Sequence, residues 1–478
     1  MKKKFVHSEK LSSLIRLIET WIESHRAYND LFGISAGIVF DQDLVWANGF
    51  GFSDPESKIP ASPQTLYRIA SISKLFTATA IMQLRDSGKL NLDDPVSEYL
   101  PWFRIKKRQP GCPPVTIRHL LTHTSGLPRE AAFPYWVDFQ FPTTRQIMET
   151  LPKQETAFAT ETIWKYSNLA LSLAGEIVQA VSETPYADYI KKHILDPLGM
   201  KDTQVVLDKQ ARKKLAKGYG RRMPDGSRLL MPFTDSKGIT PAANLTSNVT
   251  DLAKFISLQF RDGERGGKQI LKGTTLKEMR RLQWIQPDWT WGWGLGFGVK
   301  RLDDKIIVGH GGSLAGYRTR ISLCPDEKIG VVVCINSSDG DPLFFADQML
   351  RWISSLIRDK SPAAPERKKK IDPSWEKFTG KYRNFWWDAQ IMIYNRDLVL
   401  LSPLENDPLE NMIKLAPEGK NTFRMRGEDG SSSIGEKLIF ELDSRKKVKR
   451  VKVGQSYIFP IDSWYDPMPG LDLLPPAD

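Results

Sequence analysis

The chain has 478 residues, too many for one ordinary hydrophobic core, so two or three domains are expected. Its 41% hydrophobic and 26% charged residues are the proportions of a soluble globular protein, and no run approaches the ~20 consecutive apolar residues of a membrane helix. The net charge of +12 invites a nucleic-acid reading, but the basic residues are dispersed apart from 105–109, 366–370 and 445–450, and none of those runs is interleaved with aromatics as in a strand-binding groove, so solvated surface is the better reading.

The opening MKKKFVHSEKLSSLI is basic, but His7, Ser8, Glu9 and Lys10 interrupt it before an apolar signal core can form. It reads as the front of an amphipathic helix to about His25, and a cytoplasmic location is expected unless an export signal has been removed. Residues 34–51, ISAGIVFDQDLVWANGFG, predict a hairpin turning near Asp41-Gln42-Asp43. The run RIASISKLFTATAIMQL then places Ser71 and Lys74 three apart at the start of an apolar, strongly helical segment. On a helix, i and i+3 share a face, so the Lys74 amine reaches the Ser71 hydroxyl. The free N–H groups of a helix start also favour negative charge on an attacked oxygen. An S-x-x-K tetrad alone is common by chance, and its meaning depends on what accompanies it.

Further helices are expected at about 115–122, 143–151, 169–182, 186–195 and 249–261, and the strands FGVKRL, KIIVGHGG, YRTRISLCP and KIGVVVCINSS form an antiparallel run over 297–338. Strands at both ends with helices between them predict an α+β domain: one sheet built from the first and last segments, beside an all-helical subdomain, with a final helix at 343–359 covering the sheet. SPAAPERKKKIDPS has the composition of a linker. Beyond it FTGKYRNF, AQIMIYN, LVLLSPL, MIKLAP, TFRMRG, KLIFELD, VKRVKVG and SYIFPI predict a small antiparallel β-barrel or sandwich. The organisation is read as a domain at 1–359, a linker at 360–374, the β-barrel domain at 375–465 and a tail at 466–478.

Three segments bear on Ser71. Tyr166-Ser167-Asn168 sits in a turn that opens a helix; a phenol there can take or relay the serine proton if a nearby Lys74 ammonium lowers its pKa, and Asn168 can hold lysine and substrate. His310-Gly311-Gly312 lies near the end of a strand, where glycines admit a substrate backbone and the N–H of Ser313 can complete an oxyanion hole with that of Ser71. TIRHLLTHTSGL, 116–127, is read as structural. Gly33-Ile34-Ser35-Ala36-Gly37 spells G-x-S-x-G, but Ser35 begins a strand after a helix, whereas a nucleophile elbow needs strand, turn and helix. His119 and His123 are spaced like a metal pair yet lack a third ligand at the usual spacing, so no metal and no cofactor are expected. Only three cysteines occur, Cys112, Cys324 and Cys334, and they imply no disulfide framework.

In this order the segments resemble the penicillin-recognising serine hydrolases, in the branch of class C β-lactamases, DD-peptidases, D-aminopeptidases and β-lactamase-like esterases. Matching blocks run from about Gly33 to Ser338 and include LDDPVSEYLP, TIRHLLTHTSGL, YSN, ILDPLGM, PAANLTSNVTDLAKF, WGWGLGFGV and GHGGSLAGYRT. The tail resembles the lipocalin-like domain found behind this fold in some esterases and archaeal D-amino-acid-specific peptidases. The resemblance implies Ser71 as nucleophile of an acyl-enzyme, Lys74 as general base and Tyr166 as proton relay. It implies that Asn168 orients lysine and substrate, that His310 and Gly312 border the substrate, and that the Ser71 and Ser313 N–H groups form the oxyanion hole. No class A-type E-x-x-L-N loop is apparent, which leaves deacylation to the tyrosine and lysine.

The lactamases usually carry K-T-G where this chain has His310-Gly311-Gly312, and a histidine is largely neutral at pH 7. That departure favours ester, amide or peptide cleavage over a dedicated β-lactamase, with a D-amino-acid-specific peptidase or weak β-lactamase as alternatives. A non-catalytic binding or assembly protein that kept the fold is the alternative of another class. The aromatics Phe133, Tyr135, Trp136, Phe139 and Phe141 either line a lid over an apolar pocket or pack the helical subdomain. A small-molecule or peptide substrate is expected, with no nucleic acid and no membrane, and a homo-oligomer through the C-terminal domain is plausible.

Overall fold

Leu11, Leu14, Leu17, Ile18, Trp21 and Ile22 recur at helical spacing and form the buried face of helix α1 (Glu9–Tyr28), which Ser8 caps by accepting the Leu11 N–H. The computed structural model describes residues 8–263, 266–358, 371–427 and 433–469; most of the linker read at 360–374 and the end of the tail read at 466–478 lie outside the described residues. The chain divides into two compact units, one spanning Phe32–Leu350 and one joining the segment before Phe32 to that from Arg351 onward.

In the Phe32–Leu350 unit, the expected hairpin forms from β1 (Gly33–Phe40) and β2 (Asp43–Asp54), followed by β3 (Ile59–Pro60). β4 (Tyr67–Arg68) and β5 (Thr246–Ser247) make a separate small pair. The late strands are β6 (Trp284–Ile285), β7 (Trp291–Trp293), β8 (Gly298–Leu302), β9 (Lys305–Leu314), β10 (Tyr317–Cys324) and β11 (Ile329–Ile335). One nine-stranded sheet results, in the order β3-β2-β1-β11-β10-β9-β8-β7-β6. β1 joins β11 antiparallel from Ile34↔Ile335 to Phe40↔Ile329, so the first and last segments share a sheet as the α+β reading requires. Cys324 and Cys334 are buried free thiols on neighbouring strands.

Helix α2 (Ser73–Asp86) is buried at every residue from Ser73 to Met82, as a helix apolar all round must be. It lies among α3 (Ile117–Thr122), α4 (Asn168–Ser182) and α5 (Val249–Gln259) in one continuous core, Phe76 stacking on Phe255 at 4.5 Å. A β-carbon on Gly37 would lie 2.5 Å from Val249 Cγ1, so glycine there lets α5 close on the sheet. Residues 186–195, expected as one helix, split into Tyr186–Ile190 and a π turn over Lys191–Leu195. Pro197 has no N–H and its ring crowds the carbonyl of His193, which accepts instead from Gln83 Nε2 at 3.0 Å. Helix α6 (Pro342–Arg358) follows the sheet, and its Asp347 pairs with Lys300 of β8.

In the other unit, eight antiparallel strands close into a barrel, each at one of the segments read from the sequence: Gly380–Arg383, Asp388–Tyr394, Asp397–Leu401, Ile413–Pro417, Thr422–Arg426, Lys437–Leu442, Val448–Val453 and Ser456–Ile461. Side chains fill the interior, as the diameter of an eight-stranded barrel permits. Phe378, from the 3-10 turn Pro373–Phe378, stacks on Phe440 at 4.0 Å and meets Phe423 edge-on at 5.6 Å. Val451 and Val453 point inward while Arg450 and Lys452 stay outside, which accounts for the charge–valine alternation. In the same unit, α1 is tied to the barrel by Trp21 Nε1, which donates to the Glu405 carbonyl at 3.1 Å. Among the described residues no helix is long and apolar enough to cross a membrane.

Candidate active site

Ser71 lies in a 3-10 turn, Ala70–Ile72, that runs directly into α2. The expected helix start is thus shifted by one tight turn. Ala70 sits in the left-handed region at φ 47°, unfavourable for a residue with a β-carbon, immediately before the serine. Ser73, one turn on, accepts the Leu245 N–H on its hydroxyl at 3.0 Å and fixes the start of the helix.

Lys74 is completely buried. Its Nζ donates to Asn168 Oδ1 at 2.7 Å and to the Ala242 carbonyl at 2.8 Å, and lies 2.9 Å from Ser71 Oγ. The first two partners are pure acceptors in this arrangement and each needs an N–H. The third direction faces the serine: an ammonium would donate there, whereas a neutral amine presents its lone pair to the Ser71 O–H. Burial pushes the Lys74 pKa well below the ordinary lysine value; the Glu130 carboxylate raises it and the Arg129 charge lowers it further. The arrangement can therefore withdraw the serine proton.

The Tyr166 hydroxyl donates to Ser71 Oγ at 2.9 Å, so the serine oxygen lies between amine and phenol. The expectation that a lysine charge lowers this phenol is not met. Burial dominates and raises its pKa, with the Ser71 hydrogen bond and the Arg129 charge acting the other way. Tyr166 is a neutral hydrogen-bond donor at rest. Ser167 caps α4 by accepting the Ala170 N–H at 2.9 Å, which places Asn168 on the first turn facing Lys74.

Two residues that were not singled out for the site hold this group in place. Glu130 Oε1 accepts from Asn168 Nδ2 at 2.8 Å and Oε2 accepts from the Tyr135 hydroxyl. Because a carboxylate only accepts, the Asn168 amide has one orientation, with its oxygen to Lys74. His123, read as structural within TIRHLLTHTSGL, is fully buried and grips the segment carrying Tyr166 at three points. Its carbonyl accepts the Lys165 N–H at 2.8 Å, its Nδ1 accepts the Ser167 N–H at 3.2 Å, and its ring lies 4.4 Å from that of Tyr166. Burial keeps this histidine neutral. His119 instead packs against Thr116 and lies 2.9 Å from the Glu161 carboxylate, and among the described residues no group of three or more His, Cys, Asp or Glu is placed to hold a metal.

On the far side, His310 and Gly312 lie on β9, which is paired with β8 only as far as Gly309. His310 is buried 6.3 Å, ring to ring, from Tyr166. Its pKa is pushed down to about 3, first by burial and then by the Lys74 charge, so it contributes no cation at neutral pH. A β-carbon on Gly312 would fall 2.2 Å from the Ile69 carbonyl oxygen, so glycine lets β9 abut the chain just before Ser71. Ser313 is exposed, and its hydroxyl accepts from Arg318 Nη1 at 3.0 Å. Of the aromatic run, Tyr135 and Phe141 are buried and pack together at 4.8 Å, the packing reading for those two, while Trp136, 5.4 Å from Tyr135, is exposed and Phe133 and Phe139 are half-buried. Ser35 of the G-x-S-x-G sequence is buried mid-strand, bonded to Ser62 and Tyr67.

Comparison with known proteins places the chain in a family and a fold. The family model described as Beta-lactamase matches residues 18–355. "Beta-lactamase-like protein 2" of Dictyostelium discoideum is 28% identical over 426 residues, covering 83% of this chain and 76% of that protein. Among solved structures, the octameric penicillin-binding protein homologue from Pyrococcus abyssi shares 28% identity at a TM-score of 0.63, over 93% of this chain and 99% of that one. The D-amino acid amidase from Ochrobactrum anthropi SV3 shares 26% identity at a TM-score of 0.59, over 72% of this chain and 98% of that one.

Proposed function

The chain belongs to the beta-lactamase family, and from that premise we propose that it is a serine hydrolase that cleaves small esters, amides or peptides through an acyl-enzyme on Ser71. The observation that carries the reading is the serine oxygen held 2.9 Å from both Lys74 Nζ and Tyr166 OH, with the other hydrogen-bonding directions of Nζ taken by acceptors. Lys74, as the neutral amine, takes the Ser71 proton while Oγ attacks the substrate carbonyl. The Ser71 and Ser313 N–H groups receive the negative charge that develops on the carbonyl oxygen. Tyr166 gives its proton to the leaving group and regains one from the lysine ammonium. Water then repeats the sequence on the acyl-enzyme, with the same pair removing its proton. Asn168, aligned by Glu130, holds Lys74 and the substrate, and the open edge of β9 at His310–Leu314 offers backbone groups to a substrate chain.

A neutral His310 supports ester or peptide cleavage over β-lactam hydrolysis. The likeness to a D-amino acid amidase keeps a D-amino-acid-specific peptidase as the second reading. The likeness to an octameric homologue over 93% of the chain supports a homo-oligomer, and contact through the C-terminal barrel is part of the same proposal. Rates on p-nitrophenyl butyrate, D-alanine p-nitroanilide and nitrocefin test the ranking: kcat/KM should be highest on the ester and lowest on nitrocefin, and nitrocefin as the best substrate would overturn it.

The electrostatics give a pH prediction. The Glu130 carboxylate favours the Lys74 ammonium, so Glu130→Gln should lower the lysine pKa further and make the amine available at lower pH. The acid limb of the kcat/KM profile should move to lower pH in that variant; a shift to higher pH would remove Lys74 from the role of base.

A further inference from the structure

Arg129 sits beside the reaction centre with half of its guanidinium unused. Its backbone carbonyl accepts the N–H groups of Asn168 at 2.8 Å and Leu169 at 3.3 Å, which ties the residue to the turn carrying Tyr166 and Asn168. The side chain folds back over that turn, with Cζ 5.0 Å from the centre of the Tyr166 ring and Nε 3.1 Å from Glu130 Oε1. Both terminal nitrogens, Nη1 and Nη2, are without a hydrogen-bond partner among the described residues, and the side chain is 58% exposed. An ordinary surface arginine is free at every bond of a long side chain. This one is held at the carbonyl, at the ring face and at Nε, and so presents an exposed fork already ordered beside Tyr166, whose hydroxyl bonds Ser71.

Among the described residues the other cations near the centre are committed or absent: Arg318 spends Nε on the Gly340 carbonyl and Nη1 on the Ser313 hydroxyl. Lys74 is buried with its amine committed, and His310, where related lactamases carry a lysine, stays neutral. Both Glu130 oxygens are engaged, Oε1 by Asn168 and Arg129 and Oε2 by Tyr135, so three of the roughly four acceptor sites of the carboxylate are taken within the site. The fields of the site agree: the Arg129 charge reaches Lys74, Tyr166 and His123. A planar fork with two parallel N–H groups matches a carboxylate in bidentate geometry, and repels an ammonium brought to the same place.

We infer that Arg129 is the specificity-determining residue of this site, and that the substrate class is acyl compounds bearing a free carboxylate, anchored from the tyrosine side rather than from the His310 strand. This rests on the serine-hydrolase reading above. It also ranks that reading's alternatives, since substrates presenting a free α-ammonium at this place are disfavoured.

Two matched pairs test the inference, one with the carboxylate on the acyl group and one on the leaving group. The first is mono-p-nitrophenyl glutarate against its methyl ester, the second N-acetyl-D-alanyl thioglycolate against its methyl ester. In the wild-type protein, kcat/KM should favour the acid by about tenfold or more in one pair, and about 0.5 M salt should reduce that preference. In Arg129→Met the ratio of acid to ester should fall to near one or below, and Arg129→Lys, which keeps the charge without the fork, should lie between. Acid-to-ester ratios near one in both pairs for the wild-type protein, or a ratio that Arg129→Met leaves in place, would overturn the inference while Ser71-dependent hydrolysis of the methyl esters upholds the serine-hydrolase reading. Absence of Ser71-dependent hydrolysis of all four compounds would sink both.

Discussion

Replacing Ser71 with alanine should reduce hydrolysis of p-nitrophenyl butyrate to the buffer background, a loss of at least about 10⁴-fold in kcat. Ser71 Oγ is the point at which the lysine and tyrosine hydrogen bonds converge, so its removal leaves no oxygen to form the acyl bond. Background and variant rates measured side by side check this. Because the residues act as one unit, adding Lys74→Ala to Ser71→Ala should slow turnover no further. A double variant markedly slower than Ser71→Ala would mean that a second nucleophile relies on the lysine.

Lys74→Ala alone should lower kcat by about 10³- to 10⁴-fold, the upper range for loss of a general base. Ser71 keeps only the Tyr166 hydrogen bond in that variant, and a phenol whose pKa burial has raised donates to the serine rather than taking its proton. The variant also leaves Asn168 Oδ1 and the Ala242 carbonyl without their buried donor, at a cost of about 1–3 kcal/mol for each unpaired group. Circular dichroism should show the fold retained at a lower Tm. Near-wild-type turnover in a folded Lys74→Ala protein would refute the base assignment.

Periodicity carried most of the fold. The barrel strands are legible because inward and outward residues alternate, as at Val451, Lys452 and Val453, and turn residues separate the runs. The pairing of β1 with β11 was legible as a class, strands at both ends of a helical stretch, since both segments are apolar runs buried at almost every residue, as central strands are. β6 and β7 were not, because two- and three-residue strands in WIQPDWTWGW show no alternation. The left-handed Ala70 that sets Ser71 in a tight turn carries no glycine to announce it. Local spacing showed Ser71 and Lys74, and the resemblance placed Tyr166 and Asn168 beside them. Glu130 and Arg129 are single charges in a loop whose partners lie far along the chain, and no spacing rule points to them. The tyrosine pKa runs opposite to the expectation for a related reason: the sequence displays a lysine, but not the burial that outweighs it.

The central claim is a covalent intermediate on Ser71, and a p-nitrophenyl alkylphosphonate probe followed by intact-mass and peptide mass spectrometry tests it most directly. One adduct per chain, on Ser71, slowed in Lys74→Ala and absent in Ser71→Ala, is the predicted result. Folded protein that stays unlabelled, or that carries the adduct on another residue, would contradict the account.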